Sequence, residues 1–320
     1  MKQYMIRRLL QMIPTMIGIS IIVFAISAMV PGDYITARQN PNMTQEKADE
    51  LRKIYGLDKP DYQRYFIWAG NMVQGNMGDS LQHKKPVTSV INDYVWNSFI
   101  IAFASLMLSW VIAMFTGVFS AKFQYSLFDK IITLLVFICM SLPSFFIGLV
   151  LIKVFALTLN IFPVGGMTTA GLNATGWDYV VDVAKHSVLP ITVLTMLSTG
   201  SLTRYFRTSM LEVIRQDYIR TARAKGLKER TVIFKHALRN AMIPAITLLG
   251  FELPSLFGGA MIMEQIFVWP GVGHVYLGSI NMRDYPFMLG FTIFLAALTL
   301  LGNLLSDVMY GVADPRIRLK

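Results

Sequence analysis

The segment RYFRTSMLEVIRQDYIRTARAKGLKERTVIFKHALRNAM, residues 204–242, decides how this chain folds. Apolar stretches flank it on both sides, residues 189–202 before and 243–251 after. It carries ten basic residues, Arg204, Arg207, Arg215, Arg220, Arg223, Lys225, Lys228, Arg230, Lys235 and Arg239, against only Glu212, Asp217 and Glu229. Such an excess between membrane spans marks a cytoplasmic loop, because Lys and Arg are retained on that side. Apolar residues recur at helical spacing in Leu211, Ile214, Tyr218 and Ala222, and again in Ile233, Ala237, Leu238 and Ala241. Gly226 lies between the two runs as a helix stop. The pattern predicts two short amphipathic helices on the cytoplasmic membrane surface. The small residues about Thr221 and Ala224 would let a partner pack closely on the first.

The bulk numbers agree with a membrane protein. Of 320 residues, 54% are hydrophobic and only 15% charged, where a soluble domain carries about a quarter charged. The mean hydropathy is +0.50. The net charge of +10 sits beside apolar spans, so positive-inside topology and anionic lipid account for it better than nucleic acid does. The lone Cys139 can form no internal disulfide and has no metal-ligand spacing.

Outward from the basic segment, six spans are expected in an all-α fold. The first is residues 9–30, a run too long for the apolar core of a signal peptide and long enough for a retained helix. Residues 31–97 form a polar, charge-balanced outer cap, with short helices at 45–55, ending at Gly56, and 62–74. Spans follow at 99–121, 131–157, 188–205, 243–267 and 287–310. Pro143 should kink the third, and Pro244, Pro254 and Gly258-Gly259 should bend the fifth. Residues 268–286 read as a tight outer hairpin. The expected division is 1–30 for the N-terminus and first span, 31–97 for the cap, 98–310 for the core with its 206–242 loop, and 311–320 for the tail. Both termini then lie inside. Eighteen basic residues fall on the cytoplasmic side, while the short outer loops carry one each, Lys185 and Arg283.

No catalytic constellation is present. The chain has no phosphate-binding G-x-x-x-x-G-K-[ST] loop, no H-E-x-x-H and no G-x-S-x-G elbow. Its four histidines lie in four different loops. Gly271-x-Gly273 lacks the strand–helix setting of a dinucleotide site. No metal site and no cofactor are expected in this chain. Acids in spans are costly and often functional. Glu252 is either a polar group facing a conduit or a partnered structural acid, with Ser255 and Gly259 beside it as further candidates for a substrate pathway. Glu264 and Asp307, near span ends, read as structural.

Several of these residues carry a resemblance. Ile6-Arg7-Arg8-Leu9 with Ile13-Pro14, Val30-Pro31-Gly32-Asp33, Tyr55-Gly56-Leu57-Asp58-Lys59-Pro60 and the block from Asp217 through Gly226 to Pro244 resemble the permease subunits of peptide ABC importers, of the first-named or B type. So do Glu264-Gln265-Ile266-Phe267, Trp269-Pro270-Gly271-Val272-Gly273, Arg283-Asp284-Tyr285-Pro286 and Asp314-Pro315-Arg316. The resemblance covers nearly the whole chain. Arg220 stands where the general importer loop opens with an acid, as in the peptide branch, and Asn76-Met77 replaces an acid usual before the second glycine of its turn.

The resemblance implies a type I importer permease fold in a bacterial cytoplasmic membrane. It implies that Arg220, Thr221, Ala222, Arg223, Ala224, Lys225 and Gly226 form a coupling helix seated on a nucleotide-binding subunit. ATP and Mg would then reside in two ATP-binding subunits, beside a second homologous permease and an extracellular or periplasmic peptide-binding protein. Lipid is the remaining partner, and nucleic acid is not one. Nickel and glutathione importers of the same family, a proton-driven transporter with Glu252 as carrier, and a non-transporting membrane protein are the competing readings.

Overall fold

The computed structural model describes residues 2–38 and 43–313. Thirteen of the fourteen α-helices named below follow a first helix, α1 (Lys2–Met29), in chain order: α2 (Tyr34–Arg38), α3 (Gln45–Ile54), α4 (Asp61–Val73), α5 (Val87–Lys122), α6 (Leu127–Ser141), α7 (Ser144–Leu151), α8 (Gly176–Ile214), α9 (Asp217–Ala224), α10 (Glu229–Thr231), α11 (Leu238–Gly258), α12 (Met261–Ile266), α13 (Val272–Met282) and α14 (Tyr285–Ala313). A minimal antiparallel hairpin, β1 (Asp79–Ser80) with β2 (Lys85–Pro86), precedes α5. Two π-helical stretches, Ile152–Thr158 and Val232–Ala237, extend α7 and join α10 to α11.

Among the described residues, four helices are long and apolar enough to cross a membrane: α1, α5, α8 and α14. The expected third span is broken rather than kinked. α6 and the α7 stretch meet at a bend of 102°. The cause is local: Pro143 has no N–H to continue the helix, and Leu142 before it is forced to an extended ψ of 134°. The expected fourth span lies inside a helix of 39 residues. The expected fifth divides at Gly259, between α11 and α12. The predicted hairpin at 268–286 is a helix, α13, with an Asp284 carboxylate accepting from the first turn of α14 at Phe287 N. The tail motif Asp314-Pro315-Arg316 lies outside the described residues.

The centre of the bundle is the α5–α8 pair. α5 presents Ser105, Ser109, Ala113, Gly117 and Ala121, one every fourth residue and all buried. Small residues at this spacing let two helix backbones approach within a membrane. A Cβ at Gly117 would lie 2.6 Å from the Phe206 Cβ on α8, and Thr116 and Thr203 share a hydrogen bond of 2.9 Å across the seam. α11 packs on α14, while α1 leans chiefly on α14 and leaves Ile17, Ile21, Ile22 and Ile26 exposed.

Candidate functional site

The basic segment does not form two separate surface helices. Leu211 and Ile214 close α8, whose turn at Arg215 and Gln216 starts α9 afresh. Tyr218 is exposed, and Ile219 takes the inward place beside Ala222. The second apolar run continues without a break into α11. Periodicity located the helical residues, but it could not see that Leu211 and Ile214 belong to the end of α8 or that the second run leads into α11.

α9 lies on the end of the bundle. Ile219 and Ala222 are buried with Val118, Ala121, Met210, Val232, Ile233, Ala237 and Ala241. Burying Ile219 contributes roughly 2 kcal/mol toward holding α9 down. Arg220, Thr221, Arg223, Ala224, Lys225 and Gly226 face outward. Ala222 does not: it is turned into the fold, so the smallness expected at a partner contact serves the internal packing there. Gly226 has a φ of +75° and open space about its Cβ position. Its constraint is therefore the left-handed turn and not crowding. The Arg223 guanidinium grips Glu229 across that turn, Nε to Oε2 at 3.1 Å and Nη2 to Oε1 at 2.8 Å. Arg223 accordingly holds the Glu229 carboxyl below the usual range, and Glu229 raises the guanidinium in return.

A second device fixes the neighbouring turn. Asp129, at the start of α6 and nearly buried, accepts from Arg207 Nε at 2.8 Å and Nη2 at 2.9 Å, from Ser120 Oγ, and from Tyr125 N at 2.9 Å. One carboxylate thus joins α5, the 123–126 turn and α6 to the part of α8 that leads into α9. In the sequence Arg207 is one of ten basic residues, and Asp129, the one acid between Lys122 and Lys130, is the available signal.

At the opposite end, the sequence motifs converge. Glu264 is fully buried. It accepts from Ser98 Oγ at 2.7 Å, Ala260 N at 3.0 Å and His274 N at 2.9 Å. Trp269 Nε1 donates to Asn97 O at 2.9 Å, and Asn97 Nδ2 donates to Pro270 O at 2.8 Å. A Cβ on Gly271 would stand 2.5 Å from Ser98 Oγ and run into the Glu264 carboxyl. This is why glycine is required in Trp269-Pro270-Gly271-Val272-Gly273: the carboxylate occupies the missing side chain's place. Glu264 is thus a fully partnered acid, and Asp307 pairs with Arg8 at 3.2 Å.

Asp284 is also fully buried. It accepts from Ser80 Oγ, from Leu81 N at 3.1 Å and from Gln82 N at 3.0 Å, which fastens the β-hairpin to the start of α14. Beside it, Tyr285 donates to Gly32 O at 2.9 Å. Asp33 follows, bonded to Arg52 Nε at 2.7 Å and Thr36 N at 2.7 Å. Burial pushes the Asp33 carboxyl up, but the bonds from Arg52 and Thr36 together outweigh it and hold it below the ordinary value. The motifs at 30–33 and 283–286, remote in sequence, are halves of one knot.

The three pathway candidates also meet. Glu252, Ser255 and Gly259 line one cleft of about 240 Å³ with Ser105 on α5 and Ser198 on α8. Ser255 Oγ donates to Glu252 O at 2.6 Å and stands 3.1 Å from Glu252 Oε2. The cleft has one carboxylate and several hydroxyls, suited to hydrogen-bonding a polar solute.

Residues 113–319 match the family described as binding-protein-dependent transport system inner membrane component, and residues 1–102 match its N-terminal companion. The chain is 42% identical to the oligopeptide transport system permease protein AppB of Bacillus subtilis over 99% of both chains. It is 35% identical to the dipeptide transport system permease protein DppB of Escherichia coli K12 over the full length of both. Among solved structures, an inward-facing MetNI methionine ABC transporter aligns with a TM-score of 0.52 at 16% identity, covering 69% of this chain and 97% of that one. That likeness concerns the fold.

Proposed function

The chain belongs to the family of binding-protein-dependent transport system inner membrane components, and on that premise we propose that it is the permease subunit of an ATP-driven peptide importer. Peptide is the cargo named for both of these full-length relatives. Six crossings are α1, α5, the bent α6–α7 pair, α8, α11 with α12, and α14. The segment between α1 and α5 is a small outer domain. Both termini lie in the cytoplasm, in keeping with the concentration of Lys and Arg at that end.

The observation that carries the reading is α9. A short helix is held by two buried side chains and shows Arg220, Thr221, Arg223, Ala224 and Lys225 to the outside. It is seated on a nucleotide-binding subunit, whose ATP and Mg supply the energy. Two such subunits, a second homologous permease and an external peptide-binding protein complete the assembly. The cleft at Glu252, Ser255 and Gly259 is this chain's share of the peptide route. A proton-driven carrier is not favoured, because the family is defined by dependence on a binding protein.

Purified complex in sealed vesicles tests the proposal. Uptake of a labelled peptide should require ATP and the binding protein. A Thr221→Cys variant in a Cys139→Ser background should crosslink to the ATP-binding subunit. Uptake that persists without ATP, or a crosslink to any other chain, overturns it.

A further inference from the structure

The outer segment is not a detached cap. Tyr65 OH on α4 is 3.0 Å from Ser20 Oγ on α1. The Phe24 ring lies 5.4 Å from that of Tyr65 and 5.9 Å from that of Trp68. α1 ends at Met29. At about 1.5 Å of rise per residue, Phe24 lies roughly 7 Å and Ser20 roughly 14 Å below that end. With the end of α1 at Met29 taken as the membrane surface, a helix anchored at these levels lies within the lipid boundary and not above it. Tyr62, Phe66 and Ile67 on the same helix are all at least half exposed.

Between α4, α1 and α14 lies a pocket of about 410 Å³. Phe24, Trp68 and Leu289 form its apolar wall, and Lys53, Lys59 and Arg64 are its charged residues. No acid lines it. Arg64 pairs with Asp61, whereas Lys53 and Lys59 have no ion pair among the described residues. The buried indole N–H of Trp68 also has no hydrogen-bond partner among them.

We propose that α4 is an interfacial helix sunk in the outer leaflet and that this pocket holds the headgroup of an anionic phospholipid. The acyl chains run along the exposed isoleucines of α1. Lys53 and Lys59 meet the phosphate. Interfacial helices combine these features: a buried apolar face, aromatic residues at headgroup level and basic residues toward anionic lipid. The inference rests on the topology proposed above only for the name of the leaflet.

The intact complex in nanodiscs provides the test. In native mass spectrometry, phosphatidylglycerol should be retained over phosphatidylcholine. Lys53→Gln/Lys59→Gln should reduce that preference at least threefold, and inorganic phosphate should not compete. A nitroxide at Phe66→Cys in the Cys139→Ser background should relax with oxygen and not with a water-soluble nickel chelate. Unchanged lipid preference in the double variant overturns the headgroup site. Relaxation by the chelate, or protection from both agents by a neighbouring protein, overturns the lipid-facing helix. Peptide uptake, measured in parallel, reports separately on the transport reading.

Discussion

The guanidinium of Arg207 forms a two-pronged pair with the carboxylate of Asp129, bridging the end of α8 and the start of α6. Breaking such a pair leaves an uncompensated charge, at a cost on the order of 3 kcal/mol. Asp129→Asn should lower the thermal stability of the purified chain by that order, and should weaken the link between ATP hydrolysis and uptake. Thermal unfolding and the ratio of peptide carried to ATP consumed are the measurements. An Asp129→Asn protein with wild-type values of both would show the bridge to be dispensable.

Gly226 offers a separable test of conformation against crowding. Space about it is open, so Gly226→Ala meets no neighbour, yet a φ of +75° costs an L-residue roughly 1–2 kcal/mol. Asn tolerates that region better. Uptake should fall in the order Gly, Asn, Ala, with every variant still in the membrane. If Ala and Asn variants transport alike, the turn is not the constraint.

Glu229 gives a pH dependence of known sign. Arg223, and secondarily Lys122, hold its carboxyl below the ordinary 4.5. The grip on Arg223 is therefore whole above that value and is lost as pH falls through the lower folded value. Both side chains are partly exposed, so the effect is local. The protection of residues 224–229 against hydrogen exchange, taken relative to the intrinsic rate at each pH, should fall in acid. Arg223→Gln should lack that protection at every pH, and a variant that kept the acid dependence would disprove the pairing.

Gly271→Ala should be severely damaging, because the added methyl must displace the Glu264 carboxyl or Ser98. Overpacking of this kind costs about 1–3 kcal/mol. Folded yield should drop, and Gly271→Ala with Glu264→Ala should recover part of it, since the smaller side chain frees the space. Size-exclusion recovery in detergent checks both.

Glu252→Gln keeps the cleft's shape and removes its charge. If the cleft is part of the peptide route, uptake should fall several-fold while ATP hydrolysis by the complex persists. Equal loss of both would make Glu252 a structural residue.

Much of this was legible in the residues themselves. The basic run at 204–242 located the helical residues about α9, and the helix expected at 45–55 is α3, capped by the Thr44 hydroxyl accepting from Lys47 N. What escaped was tertiary. Pro143 signalled disturbance, but a kink and a 102° break look alike in sequence. Trp269-Pro270-Gly271 read as a turn, and the helix after it was hidden because glycines that serve Glu264 dilute its pattern. The Asp284 and Asp129 attachments join residues far apart along the chain, which periodicity cannot register. The depth of α4 became visible only through Ser20 and Phe24.

The unbroken run of α8 has a mechanical implication. Its 39 residues extend roughly 58 Å, farther than the hydrocarbon layer is thick. Tilting such a rod by ten degrees about its midpoint would swing each tip about 5 Å in opposite directions. A displacement started beside α9 would thus reach the far mouth without any intermediate part having to relay it.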